Sequence, residues 1–182
     1  MHENDFLETT TEQFRALKKL AEGAMAQVSS EHFFAQLDDE SNSIAMILKH
    51  VAGNLRSRWT DFLTSDGEKP NRNRDGEFLY RAKDTRESLL SYWDEGWSCV
   101  IGSLERLRPA DLERTVLIRS EPHTVIRAIQ RSLSHTAQHV GQIVLLAKHY
   151  AGPQWRTLSI PRAKSEEFRD QMQAKHHEAK QQ

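Results

Sequence analysis

The chain has 182 residues, enough for one domain with a substantial core, and its 37% apolar and 28% charged content is globular rather than disordered. Lys+Arg at 25 against Asp+Glu at 26 gives no argument for nucleic acid or an anionic membrane as the main partner. The single cysteine, Cys99, excludes an intramolecular disulfide and a multi-cysteine zinc site. Its neighbours Trp97, Val100 and Ile101 assign it to packing rather than to nucleophilic chemistry.

The N-terminal stretch, Met1 to Glu12, is acidic and polar with no secretory signal pattern. No apolar run approaches the ~20 residues that span a bilayer, so a cytoplasmic protein is expected. A first helix is predicted from about Asn4, a plausible N-cap, to Val28. Its stripe of Phe6, Thr10, Phe14, Leu17, Leu20, Ala21 and Ala24 follows three/four spacing. Ser29-Ser30-Glu31 can cap a short turn through His32 and Phe34, and Gln36 to Glu40 reads as loop. A second helix follows the caps Ser41-Asn42-Ser43. Ile44, Ile47, Leu48, Val51, Leu55, Trp59 and Phe62 trace one face, with His50 at its edge and Asn54 one turn above. Gly53 inside this helix costs roughly 1 kcal/mol relative to alanine, which points to close approach of another helix or a ligand.

Thr64 to Gly76 is loop, rich in glycine, proline and turn formers, and long for a bundle connection. Asp84-Thr85-Arg86-Glu87 resembles a capping box with Asp84 as N-cap, opening a third helix to about Arg108. Arg114 to Arg119 has β-branched character and ends in Ser120-Glu121-Pro122, which fits a small β-hairpin. A fourth long helix is predicted from about Thr124 to Tyr150, before Gly152-Pro153. Trp155, Leu158 and Ile160 in the following extended segment call for burial. The charged end, Lys164 to Gln182, fits a frayed, partly disordered helix. The expected fold class is all-α, with residues 1–165 as the domain and 166–182 as a charged tail.

His135 and His139 stand four apart in the fourth helix, so both imidazoles lie on one face. With His50 from the second helix they form a candidate site for a divalent metal, with a position left open. Spacing alone is weak support, because nine histidines in 182 residues give ~0.4 such pairs by chance. Thr136 stands where a zinc protease needs its glutamate base. A phosphate-binding glycine loop and a serine-nucleophile elbow are both missing. Asn54, Arg58 and Gln142, each within a turn or two of a ligand, are candidates for positioning ligands or substrate. His2, His32, His149, His176 and His177 are less promising, and nothing positions His123.

The triad His50, His135 and His139 resembles the pattern of the DinB/YfiT-like superfamily of metal-binding four-helix bundles: one histidine on the second helix and an H-x-x-x-H pair on the last long one. A closer resemblance is to an uncharacterised branch of that superfamily. It rests on His50-Val51-Ala52-Gly53-Asn54, Arg58 to Leu63, Asp66-Gly67-Glu68-Lys69, His139-Val140-Gly141-Gln142-Ile143 and Leu158-Ser159-Ile160-Pro161. The resemblance implies a four-helix bundle with non-sequential helix order, often a homodimer, holding zinc, nickel or a similar ion. Some members of the superfamily use low-molecular-weight thiols.

Three functions are therefore open. The first is a metal-dependent enzyme acting on a small-molecule substrate with a thiol cosubstrate, or hydrolysing one with metal-activated water. The second is a non-catalytic, stress-related metal-binding module in which the ion ties two helices together. The third is an interaction module. Arg56, Arg58, Arg72, Arg74 and Arg81 are interleaved with Asp61, Asp66, Glu68 and Asp75, so a phosphate-binding stripe is not supported.

Overall fold

The computed structural model describes residues 2–179, with side chains from 5 to 175. His2, His176 and His177 therefore lie outside the described side chains. The described chain is mostly helical, with six α-helices and one two-stranded antiparallel sheet. Four helices are long: α1 (His2–Met25), α3 (Ile44–Trp59), α4 (Arg86–Leu104) and α5 (Val125–Ala151). The short α2 (Ser30–Phe34) and the terminal α6 (Ser165–Ala179) complete the set. Among the described residues no helix is long and apolar enough to cross a membrane.

Helix ends follow local hydrogen-bonding chemistry. The Ser29, Ser43 and Thr124 side chains accept from backbone N–H groups of α2, α3 and α5, satisfying donors that have no intrahelical partner. α1 already includes His2, so Asn4 lies within it and is not its N-cap. Thr85 rather than Asp84 caps α4, in a reciprocal box with Ser88. Asp84 instead accepts from Lys49 Nζ at 2.5 Å and from the Arg81 backbone N–H. α3 ends at Trp59 because Thr60 turns extended, ψ 126°, and Asp61 then takes a left-handed conformation, φ 49°, which leaves Phe62 beyond the helix.

α3 packs most extensively on α4 and also on α5, whereas α1 packs on α5 and on α4. Of the long helices that follow one another in the chain, α3 and α4 are main partners, whereas α1 packs chiefly on α5 and not on α3. The core between them holds Phe14, Trp59 and Trp97, with Phe14 edge-on to both indoles at ring distances of 5.9 and 6.2 Å. The α3–α4 approach is close because Gly96 has no side chain: a Cβ there would lie 2.9 Å from Ala52 Cα and its carbonyl oxygen. Cys99 is half-buried and packs against this core.

The hairpin forms as expected: β1 (Thr115–Ile118) pairs with β2 (Glu121–Thr124), and Val116 faces His123. Its turn residues Arg119 and Ser120 both have positive φ, the geometry that matches strand twist in a two-residue turn. Val116 and Ile118 turn inward, so a ribbon that is marginal alone is anchored on the helical core. The segment after α5 departs from expectation. Trp155 is half-buried against the core, but Leu158 and Ile160 remain 38% and 42% exposed. The charged end forms α6, whose described side chains are solvated from Ser165 to Lys175.

Candidate metal centre

His50 sits midway along α3 and points from its buried face toward α5. His135 and His139 occupy one face of α5, as their spacing requires. One ligand atom from each of the three lies within 4.8 Å of the others. His50 Nε2 and His135 Nε2 are 3.2 Å apart. Two imidazole nitrogens bound to a tetrahedral ion at about 2.0–2.1 Å would stand roughly 3.3 Å from each other. The donor set and its spacing thus fit a divalent ion of the borderline class that imidazole prefers.

The orientation of His50 is fixed from behind. Its Nδ1–H donates to Glu77 Oε2 at 2.8 Å, which leaves the Nε2 lone pair directed at the cluster. Glu77 belongs to a 3-10 turn, Asp75–Phe78, in the long connection after α3. Arg72 grips the same carboxylate with two hydrogen bonds, Nε to Oε1 at 2.9 Å and Nη2 to Oε2 at 3.0 Å. Burial opposes ionisation of Glu77. The hydrogen bonds from His50 and Arg72 nevertheless hold its carboxyl below the ordinary value.

Glu68 extends the network. It pairs with Arg58 at 3.1 Å and Arg119 at 3.0 Å, and it stands 3.7 Å from Arg72. The connection itself is tied to the hairpin. Asp66 accepts from the Arg119 and Ser120 backbone N–H groups at 2.9 and 2.7 Å, and the Gly67 N–H donates to the Leu117 carbonyl at 2.8 Å. The 64–76 loop, with the 3-10 turn that closes it, is therefore a clamp that carries Glu68, Arg72 and Glu77 to the back of His50.

The α5 half is held less firmly. His139 Nδ1 meets Gln142 Oε1 at 2.8 Å, a contact with an exposed amide. His135 Nδ1 is buried with no hydrogen-bond partner among the described residues. Burial, then the neighbouring His139 and His50, push the His135 pKa down to about 3. Burial also lowers His139, against the effect of Gln142. Rings with pKa values lowered in this way are neutral at physiological pH, the form that binds metal.

The three proposed ligands are together, and each positioning candidate has a place. Gln142 contacts His139, while Asn54 and Arg58 line a cavity beside His50 and His135. His123 is buried on β2 outside the cluster, and His32 stacks on Tyr150 at 4.8 Å. Glu77 was not singled out from sequence, and Arg72 only as one of several interleaved arginines, although Gly53 carried a signal. A Cβ at Gly53 would lie 2.9 Å from Glu77 Cδ and closer still to Oε1, so the glycine leaves room for the carboxylate.

The fold and site define a helical protein with a partly buried three-histidine cluster that could hold a metal ion. The chain belongs to a family described as proteins of unknown function, DUF1572, whose profile matches residues 2–164. No curated protein matches the chain significantly.

Proposed function

We propose that this chain binds one divalent ion, zinc or nickel, through His50, His135 and His139, and that it is a metal-dependent enzyme using a low-molecular-weight thiol. The observation that carries this reading is the convergence of three imidazoles, one of them oriented by a buried carboxylate and two of them, His50 and His135, lining a cavity. The four long helices, with α1 seated on α5 rather than on α3, support a four-helix bundle of the DinB/YfiT-like superfamily with non-sequential helix order.

Histidine ligation from two helices leaves coordination positions on the cavity side. A bound ion would supply Lewis acidity there, lowering the pKa of a thiol. His50 is held in register by Glu77 and Arg72, and Asn54 and Arg58 face the space a substrate would occupy. In the reaction the thiol proton passes to solvent. The sulfur then forms a bond to an electrophilic carbon as that carbon's bond to its leaving group breaks. Hydrolysis is the weaker alternative, because no carboxylate lines the cavity to serve as general base. A purely structural ion is also disfavoured, since the carboxylate–arginine network holds the α3 side without it.

The test is elemental analysis of untagged protein. Wild type should carry about one ion per chain, and His135→Ala should reduce the content to background. Undiminished occupancy in that variant would show the ligand set to be wrong. Chelated wild type should keep its helical circular dichroism, whereas unfolding on chelation would assign the ion a structural role.

A further inference from the structure

The cavity beside His50 and His135 is lined by five arginines and by no carboxylate. Three of the five are committed. Arg58 and Arg119 share Glu68, and Arg72 grips Glu77, so two carboxylates answer three guanidinium groups. Arg74 lies over the Phe78 ring at 5.3 Å, and its one ion pair, with Asp75 at 3.8 Å, contributes little because that aspartate is 96% exposed. Arg131 takes part in none of the ion pairs among the described residues. It lies on α5 one turn before His135, on the same face, and lines the cavity. A positive surplus in a concave space favours an anionic guest and disfavours a cationic one.

The remaining wall is apolar. Trp59 and Phe62 are buried there, and Leu117 and Ile118 come from the hairpin. The cavity volume is about 180 Å³, below the ~300–1,000 Å³ of drug-sized ligand sites. Nucleotides and peptides are too large to be enclosed.

We infer that the cavity binds a small organic anion, with its carboxylate on the Arg131 guanidinium, its short apolar body along Trp59 and Phe62, and its other end at His50 and His135. The placement of that other end rests on the metal-site reading; the anion seat rests on the arginines alone. A guanidinium fork matches a carboxylate with two parallel N–H···O bonds, which a lysine cannot reproduce. Under the thiol reading, the substrate or cosubstrate is thus a mercaptocarboxylate rather than a neutral or cationic thiol.

The test loads the full chain with Co²⁺ and follows sulfur-to-cobalt absorption during titration with 3-mercaptopropionate, 2-mercaptoethanol and cysteamine. The anionic thiol should bind about tenfold tighter than the neutral one, and the cationic thiol most weakly. Arg131→Gln should reduce the anion-to-cation affinity ratio about tenfold, and Arg131→Lys should retain part of it. Equal affinities for the three thiols, or a ratio unchanged in Arg131→Gln, would overturn the inference. Calorimetric titration of the apoprotein with 3-mercaptopropionate separates the two readings. Arg131-dependent binding without cobalt uptake would keep the anion seat and remove the metal site. Cobalt uptake without charge preference would do the reverse, and loss of both would remove both. Arg131 is exposed and unpaired, so its variants should keep the wild-type circular dichroism.

Discussion

The two halves of the histidine cluster are built on different terms. On the α3 side, His50 is 4% exposed and its Nδ1 is fixed by Glu77, which is itself held by Arg72. Behind these, Glu68 and Asp66 tie the long connection to Arg58 and to the hairpin turn. On the α5 side, His139 leans on one exposed amide, and His135 has an Nδ1 with no partner among the described residues. One half is preorganised by tertiary contacts from three segments. The other takes its geometry almost entirely from the spacing of residues on one helix. The α3 half should therefore resist rearrangement when an ion enters or leaves, and adjustment should occur on α5.

The largest effect is expected from breaking the support of His50. Glu77→Gln would leave Arg72, whose side chain is 4% exposed, without a full counter-charge. Removing one partner of a buried ion pair typically costs about 3–5 kcal/mol. Urea denaturation of the apoprotein should show a loss of this order, with metal affinity reduced about 10–100-fold by competition against a chelator. A loss below 1 kcal/mol would mean that the network is not the brace described here.

Gly53→Ala strikes the same support more gently. The added Cβ would collide with a carboxylate that cannot swing aside without leaving Arg72 or His50. A destabilisation of about 1–3 kcal/mol is expected, together with weaker metal binding. The control lies on the other half: a Cβ at Gly141 meets nothing within 4 Å. Gly141→Ala should stabilise the helix by up to about 1 kcal/mol and leave metal affinity intact. Equal behaviour of the two alanine variants would erase the distinction between the halves.

The contrast also explains what could be read from the sequence. The helices and the α5 pair were legible because their signals are local: a 3.6-residue period and a four-residue spacing set which side chains share a face. His50 could be put on another helix by the same period, and its approach to His135 could be proposed from the residue types, but spacing gave that tertiary contact only weak support and the family resemblance strengthened it. Glu77 and Arg72 come from a connection with no periodicity, so no spacing rule could assign them. Gly53 was the trace they left, legible as a demand for space but silent about what fills it. Asp84 and Thr85 are both competent caps, and the choice fell on the residue whose box with Ser88 closes. Leu158 and Ile160 show the opposite limit: being apolar did not guarantee burial in a segment that ends beyond the core.

Acid should probe the two halves of the apoprotein in windows that overlap only below 4.5. Unfolding returns His135 to water, where it takes up a proton below its ordinary 6.5, whereas the folded ring stays neutral down to about 3. Between those values the unfolded chain binds more protons, so stability should fall as pH drops and be level above 6.5. Glu77, held below its ordinary 4.5, contributes stability that is present above that value and lost as pH falls through the folded one. The limb from 6.5 to 4.5 therefore belongs to the α5 histidines. His135→Gln should make it shallower, leaving the part that His139 contributes, while the loss below 4.5 persists, as followed by chemical denaturation at a series of pH values.

The smallest effect is expected at Gln142. Its amide is exposed and touches His139 only, so Gln142→Ala should change folding stability by no more than about 0.5 kcal/mol. Its influence should appear in metal binding alone, because the amide oxygen is what selects the His139 tautomer with Nε2 free to coordinate. A loss of affinity toward the lower end of the ~10–100-fold range for ligand-orienting residues is expected, well short of Glu77→Gln. If Gln142→Ala instead matched Glu77→Gln in metal affinity with stability unchanged, the α5 half would be as dependent on its supporting contact as the α3 half. The asymmetry would then be one of folding energy and not of metal-site organisation.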